Sequence, residues 1–177
     1  NAISIEDPAG RYVSRAALKL IAGLDAGGID PAGLVCLDVG ASTGGFSQVL
    51  AERGARRIYA VDVGHDQLHS AVRALPQVVS LEGVNARDLT REAIAEPVDL
   101  VVCDVSFVSV TKVLAAPLAL CRPGAQAVIL IKPQFEVGRE AIGKGGIVTD
   151  EAAIAAAADA VIAFMAAAGF GHSRSLP

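Results

Sequence analysis

The chain has 177 residues, 53% of them hydrophobic and 19% charged, which gives a single globular domain enough apolar surface to bury a core. Its apolar runs stop short of the ~20 residues a membrane span needs, and its three cysteines, odd in number and without close spacing, suit neither a zinc site nor a disulfide framework. A formal charge of -4 gives no global attraction to nucleic acid, whose affinity for proteins rests on phosphate neutralisation, so any RNA contact has to use a local basic patch.

From the N-terminus, residues 1–8 carry neither a basic start nor an apolar secretion stretch. Together with Cys36, Cys103 and Cys121 read as reduced core thiols, this predicts a cytoplasmic protein, and the missing initiator Met reads as a trimmed end. Residues 14–26 predict an amphipathic helix, capped by Ser14 and stopped at Gly27-Gly28, with Ala17, Leu20, Ile21 and Leu24 on its buried stripe and Lys19 outside it. Strands are predicted at 34–39, 57–61, 78–81, 98–103 and 126–131, each a nearly continuous apolar run of the kind that is covered on both faces. Helical patterns lie between them at 45–53, 67–75, 89–95 and 110–120, followed by a glycine-rich loop at 138–146 and an alanine-rich helix at 150–168. Alternating strand and helix predicts an α/β fold with a mostly parallel, doubly wound sheet of Rossmann-like form.

The first strand runs into Asp38-Val39-Gly40-Ala41-Ser42-Thr43-Gly44-Gly45-Phe46 and then a helix. The spacing D-x-G-x-x-x-G-G does not meet the G-x-G-x-x-G of a dinucleotide site, which argues against a nicotinamide-dependent dehydrogenase. An acid at the strand end before such a loop suits an uncharged adenosine and a zwitterionic amino acid, and points to S-adenosylmethionine. Asp62, ending the second strand ahead of Val63, is positioned to accept hydrogen bonds from ribose hydroxyls. Asn85 and Ala86, at the tip of the third strand, could bracket adenine, and a plain polar loop serves equally well there.

The fourth strand ends at Cys103-Asp104-Val105-Ser106-Phe107 and the fifth at Lys132-Pro133-Gln134-Phe135-Glu136. Val105-Ser106 stands where a base-amino methyltransferase carries two prolines, and strand alternation turns Cys103 into the sheet, away from a nucleophile's position. Adjacent strand tips bring Asp104 and Lys132 into the crevice where open α/β sheets bind ligands, with Lys19 reaching across from the first helix. A ribose 2'-hydroxyl must lose its proton as it attacks a methyl group, and a lysine serves as base where burial or a second cation favours its neutral form. Lys132 is read as that base, Asp104 as its orienter and Lys19 as a positioner of the hydroxyl and its phosphate. Arg11, Arg15, Lys19, Arg139 and Lys144 flank the crevice in sequence and are the candidate RNA contacts. His65, His69 and His172 have no metal-ligand spacing.

These segments, with Tyr12-Val13-Ser14-Arg15-Ala16-Ala17-Leu18-Lys19-Leu20, Tyr59-Ala60-Val61-Asp62-Val63-Gly64 and Gly143-Lys144-Gly145-Gly146, resemble the TlyA family, often labelled haemolysin A, among the FtsJ-like ribose methyltransferases. The resemblance runs from about Tyr12 to Thr149. It implies methylation of cytidine ribose in ribosomal RNA by a Lys-Asp-Lys-Glu tetrad, whose first three places fall on Lys19, Asp104 and Lys132. The fourth is expected on a strand beyond Pro177, so the sheet is expected to lack its last strands. Residues 1–177 are expected to form one methyltransferase domain without the small RNA-binding domain that precedes it in the family. The competing expectations are a fragment that binds cofactor and RNA without activity, and a membrane-active haemolysin, against which the near absence of basic residues from the 150–168 helix weighs.

Overall fold

The computed structural model describes residues 7–177; the reading of the extreme N-terminus falls mostly on residues 1–6, outside the described residues. Five parallel strands, β1 (Val35–Val39), β2 (Arg57–Asp62), β3 (Val78–Glu82), β4 (Val98–Cys103) and β5 (Cys121–Ile129), form one sheet in the order β3-β2-β1-β4-β5. All five β1 residues are buried, because this strand has a neighbour on each edge and a layer on each face. Side chains alternate across it. Cys36 turns toward a core built with Leu20 and Leu24 of α1 (Ala16–Gly27) and Phe46, Val49 and Leu50 of α2 (Gly45–Glu52). Leu37 and Val39 turn to the opposite core, closed by Val110, Leu114 and Leu118 and by Val161 and Met165 of the long last helix.

The first helix follows its predicted stripe, with Ala17, Leu20 and Leu24 buried and Ile21 half-buried. Ser14 Oγ accepts from Ala16 N at 3.1 Å, and Gly28 ends the helix in the left-handed region. The remaining helices are α3 (Ser70–Arg73), α4 (Val110–Val113), α5 (Ala115–Ala119), α6 (Pro133–Glu136) and α7 (Glu151–Ala167).

The fifth strand, predicted at 126–131, starts earlier and stops earlier, at Cys121–Ile129, and three helix expectations change. Residues 89–95 form no helix: Thr90 O takes both Ala93 N and Ile94 N, a single turn, and Thr90 Oγ1 diverts Glu92 N, a local bond that competes with helix formation. The 110–120 helix is broken at Leu114, because Pro117 has no N–H to offer the carbonyl four residues earlier. The 67–75 helix is reduced to α3, whose N-cap is His69 through Nδ1, accepting from Ala71 N at 3.1 Å. Among the described residues no helix is long and apolar enough to cross a membrane.

Candidate active site

At the end of β1 the backbone turns under a tight set of contacts. Gly40 N and Ala41 N both donate to Val61 O of β2, at 2.9 and 3.0 Å. Gly40 has φ +80°, and a Cβ there would stand 2.7 Å from the Asp104 carbonyl, so only glycine lets the ends of β1 and β4 meet. Gly44, with φ +101°, is pressed against Leu68 and Val72, which would lie 2.7 and 2.9 Å from an added methyl. The resulting cleft is lined by Gly40, Ala41, Ser42 and Thr43, by Gly45 and Phe46 at the start of α2, by Ser14 and Ala16, and by Asp104.

Three carboxylates belong to this loop and its flanking strand ends. Asp62 holds it to β2: Oδ2 accepts from Ser42 N and Oδ1 from Gly64 N, both at 2.8 Å. This bracing role is one that the predicted ribose contact did not anticipate. Asp38 has no solvent exposure, accepting one hydrogen bond from Ser47 Oγ at 2.7 Å, while its Oδ1 has no partner. Burial pushes its carboxyl up to about 7, against the Ser47 hydrogen bond, and the negative charges of Asp104 and Asp62 push the same way.

The third carboxylate, Asp104, meets Lys132, which follows β5 and precedes α6. Lys132 Nζ lies 2.7 Å from Asp104 Oδ1 as an ion pair, out of line for a hydrogen bond to that oxygen, and donates to Ser106 Oγ at 2.7 Å. Neither side chain is a quarter exposed, at 24% for Lys132 and 19% for Asp104, so the charge pair sits in a partly desolvated rim. Cys103 beside it is fully buried and its thiol is pushed up to about 12, chiefly by burial, which keeps it from acting as a thiolate.

The segments carrying Asp104 and Lys132 are also stitched together one turn further on. Glu136 Oε2 accepts from Ser109 Oγ at 2.6 Å and Oε1 from Val110 N at 2.8 Å, so it caps α4 from α6. Between these ties Phe107 is 90% exposed at φ +67°, its ring centroid 5.3 Å from that of Phe135. Ser106, Phe107 and Glu136 were not among the predicted site residues; the only sequence signal for the first two was their adjacency to Asp104.

Other predicted residues stand apart from this pair. Lys19 is exposed, one turn beyond Ala16, and the structure brings it into no hydrogen bond or ion pair with Asp104 or Lys132. Val63, 67% exposed, Asn85 and Ala86 are absent from the cleft lining; Asn85 Oδ1 accepts from Arg87 N, and Ala86 is buried. Arg11 pairs with Glu52 at 2.9 Å and covers the Tyr12 ring. Arg15, Arg139 and Lys144 are exposed and have no ion-pair partner among the described residues. No group of His, Cys, Asp and Glu able to hold a metal occurs among the described residues.

The protein TlyA of Mycobacterium tuberculosis, a 16S/23S rRNA (cytidine-2'-O)-methyltransferase, is 51% identical over 146 residues, covering 82% of this chain and 54% of that protein. Hemolysin A of Brachyspira hyodysenteriae is 43% identical over 80% of this chain and 59% of its own length. A solved structure described as a hemolysin from Streptococcus thermophilus superposes with a TM-score of 0.86 at 39% identity, over 90% of this chain and 58% of that one. The chain thus spans about half the length of the curated relatives it matches. The sequence profile of the FtsJ-like methyltransferases matches residues 12–176, and with nearly every described residue inside that match, the chain belongs to the FtsJ-like methyltransferase family.

Proposed function

We propose that residues 1–177 form one catalytic unit that binds S-adenosylmethionine in the glycine-loop cleft and serves 2'-O-methylation of cytidine ribose in ribosomal RNA, in the cytoplasm. The observation that carries the reading is the Asp104–Lys132 ion pair, 2.7 Å across, at the rim of the cleft that Asp104 itself lines. The cleft suits the cofactor chemically. Asp104 in the lining, with an Oδ1 that accepts no hydrogen bond, two further carboxylates at the same loop and a glycine turn with no side chain in the way fit a ligand with cationic centres on a neutral nucleoside. When bound, S-adenosylmethionine supplies an electrophilic methyl on a sulfonium.

The protein's own part follows from placement. Lys132 Nζ, beside Asp104 and Ser106 at the rim of the cleft, is the base that in its neutral form accepts the proton of an incoming hydroxyl. Asp104 fixes the direction of Nζ, and Ser106 supplies its second anchor. Lys19, exposed and without an ion-pair partner among the described residues, holds the hydroxyl's neighbouring phosphate. The exposed Phe107 ring offers a stacking face for the base of a splayed nucleotide. Arg11, Arg15, Arg139 and Lys144 line the approach for the phosphate backbone.

The test offers tritiated S-adenosylmethionine and separated, unmodified ribosomal subunits to the full-length protein, then maps the labelled ribose. Label on a cytidine 2'-oxygen is expected, with Lys132→Ala lowering turnover by about 10²–10⁴ while the cofactor still binds. Absence of label from both subunits would sink the ribosomal reading, and a fully active, folded Lys132→Ala would remove the base from Lys132.

A further inference from the structure

Asp38 and Ser47 are the polar side chains buried in the core among the described residues, and they hold each other. An ionised carboxylate can accept about four hydrogen bonds; this one has a single neutral donor, and its Oδ1 is shut off from solvent with none. Keeping an anion in such a place is costly. The groups around it raise the cost. β2 contributes Asp62 and the end of β4 contributes Asp104, both carboxylates, the latter offset by Lys132 from beyond β5. On its own strand Cys36, and on β4 Cys103, are thiols that burial holds protonated, each pushed up to about 12. From α2 comes the Ser47 hydroxyl, while α1 turns Ala17 and Leu20 inward and leaves Lys19 exposed. No ion pair reaches Asp38 among the described residues.

We infer that Asp38, buried two residues before the Gly40 that lines the cleft and within electrostatic reach of Asp104 in that lining, carries a proton in the free protein and releases it when the cationic cofactor enters the cleft, so that cofactor binding is coupled to proton release. The inference rests on the S-adenosylmethionine reading above. In the exchange the carboxyl O–H bond breaks, its electron pair stays on Asp38, the proton passes to the buffer, and the ligand's positive charge in the cleft offsets the negative charge left on the carboxylate. A carboxyl pushed from 3.8 up to about 7 puts this exchange in the neutral range. Below pH 7 binding must expel the proton, so affinity falls with pH; above it the proton has already gone and none is released. Asp38 is therefore a positioning residue that ties cofactor affinity to pH.

Isothermal calorimetry of S-adenosylmethionine binding to the chain, in phosphate and in Tris at several pH values, counts the protons. Close to one proton released per cofactor is expected about one unit below pH 7, declining toward none above pH 8, with affinity rising about tenfold per pH unit in the acidic limb. Asp38→Asn, folded by circular dichroism, is expected to lose that release and the pH dependence; protons from the cofactor's own ammonium appear equally in both proteins and subtract. An infrared carbonyl band of a protonated carboxyl, present in the free wild type and lost on saturation, gives the same answer without a variant. Cofactor binding with equal proton counts in the two proteins, or no such band, overturns the inference and leaves the cofactor reading standing. No binding at any pH overturns both.

Discussion

Unfolded, Asp38 ionises at its ordinary 3.8; folded, it keeps its proton to about 7. Between those values the native state holds the proton more tightly, so the stability this group contributes is complete below about pH 4 and is lost as pH rises to 7. The wild type is therefore expected to lose stability relative to Asp38→Asn across that window, by up to a few kcal/mol at about 1.4 kcal/mol per pK unit, read from denaturant melts at pH 4 and pH 8. The position of Asp38 was legible in the sequence, as an acid ending an apolar strand before a glycine loop. Its isolation was not, because that depends on Ser47, on the next helix, being its single donor. Asp104 and Lys132 were legible for a similar reason: one follows β4 directly and the other lies three residues beyond β5, and neighbouring parallel strands deliver their ends to one edge. Lys19 shows the limit, since helical periodicity puts it outside the apolar stripe without saying which neighbour it reaches. The hydrogen bonds of Asp62 to Ser42 and Gly64 were hidden too, because they depend on how the intervening loop is folded.

Among the elements, strands were easier to read than helices. β1 is buried on every residue, and its Val-Cys-Leu-Asp-Val sequence is apolar but for Asp38. The crossovers were harder because they obey local bonding and tertiary packing rather than periodicity: Thr90 diverts one turn, Pro117 breaks another, and the residues before α3 are drawn into bonds with Glu82 through Asp66 N and Leu68 N. The tie between α4 and α6 belongs to this level. Removing the carboxylate of Glu136 leaves Val110 N and Ser109 Oγ without that acceptor and frees the loop that carries Asp104, Ser106 and Phe107. Glu136→Ala is expected to cost about 1–3 kcal/mol of stability and to lower turnover more than cofactor affinity, with Glu136→Gln recovering much of both because its amide oxygen still accepts from Val110 N. Thermal melts, calorimetry and methyl-transfer rates together check this, and an activity unchanged in Glu136→Ala would show that the tie does not reach the site.

At the scale of the molecule, the cations divide into those already paired with a carboxylate and those that are not. Arg11–Glu52, Arg53–Asp25, Arg56 and Arg57 with Glu96, Arg73–Glu82 and Arg122–Asp99 are paired, whereas Arg15, Lys19, Arg87, Arg91, Lys112, Arg139, Lys144 and Arg174 are exposed and have no ion-pair partner among the described residues. Of these, Arg87, Lys112, Arg139 and Lys144 follow strand ends, and Arg15 sits between Ser14 and Ala16 of the cleft. A chain of net charge -4 can thus still present an unneutralised cationic rim. Replacing Arg15, Lys19, Arg139 or Lys144 by alanine is expected to reduce the slope of log K against log salt for ribosomal RNA by roughly 0.7–0.9 each, while Arg56→Ala, already paired, leaves it unchanged; slopes equal in all variants would place the RNA elsewhere. The overall charge says only that an RNA contact needs a local patch; which cations remain unpaired depends on pairings such as Arg56–Glu96, forty residues apart, that only the folded sheet creates. The cleft's parentage has a further consequence. Its walls come from residues near 14, 40–46 and 104, with Lys132 at the rim, and no contiguous stretch of chain contains it. Such a site has no early, partial form during folding: its long-range contacts are formed only as the central strands pair, and loop closure over those separations is slow. A ligand that recognises it therefore stabilises the folded domain as a unit, in proportion to RT ln(1 + [L]/Kd), and slows amide exchange in β1, at the middle of the sheet, as well as in the glycine loop it touches.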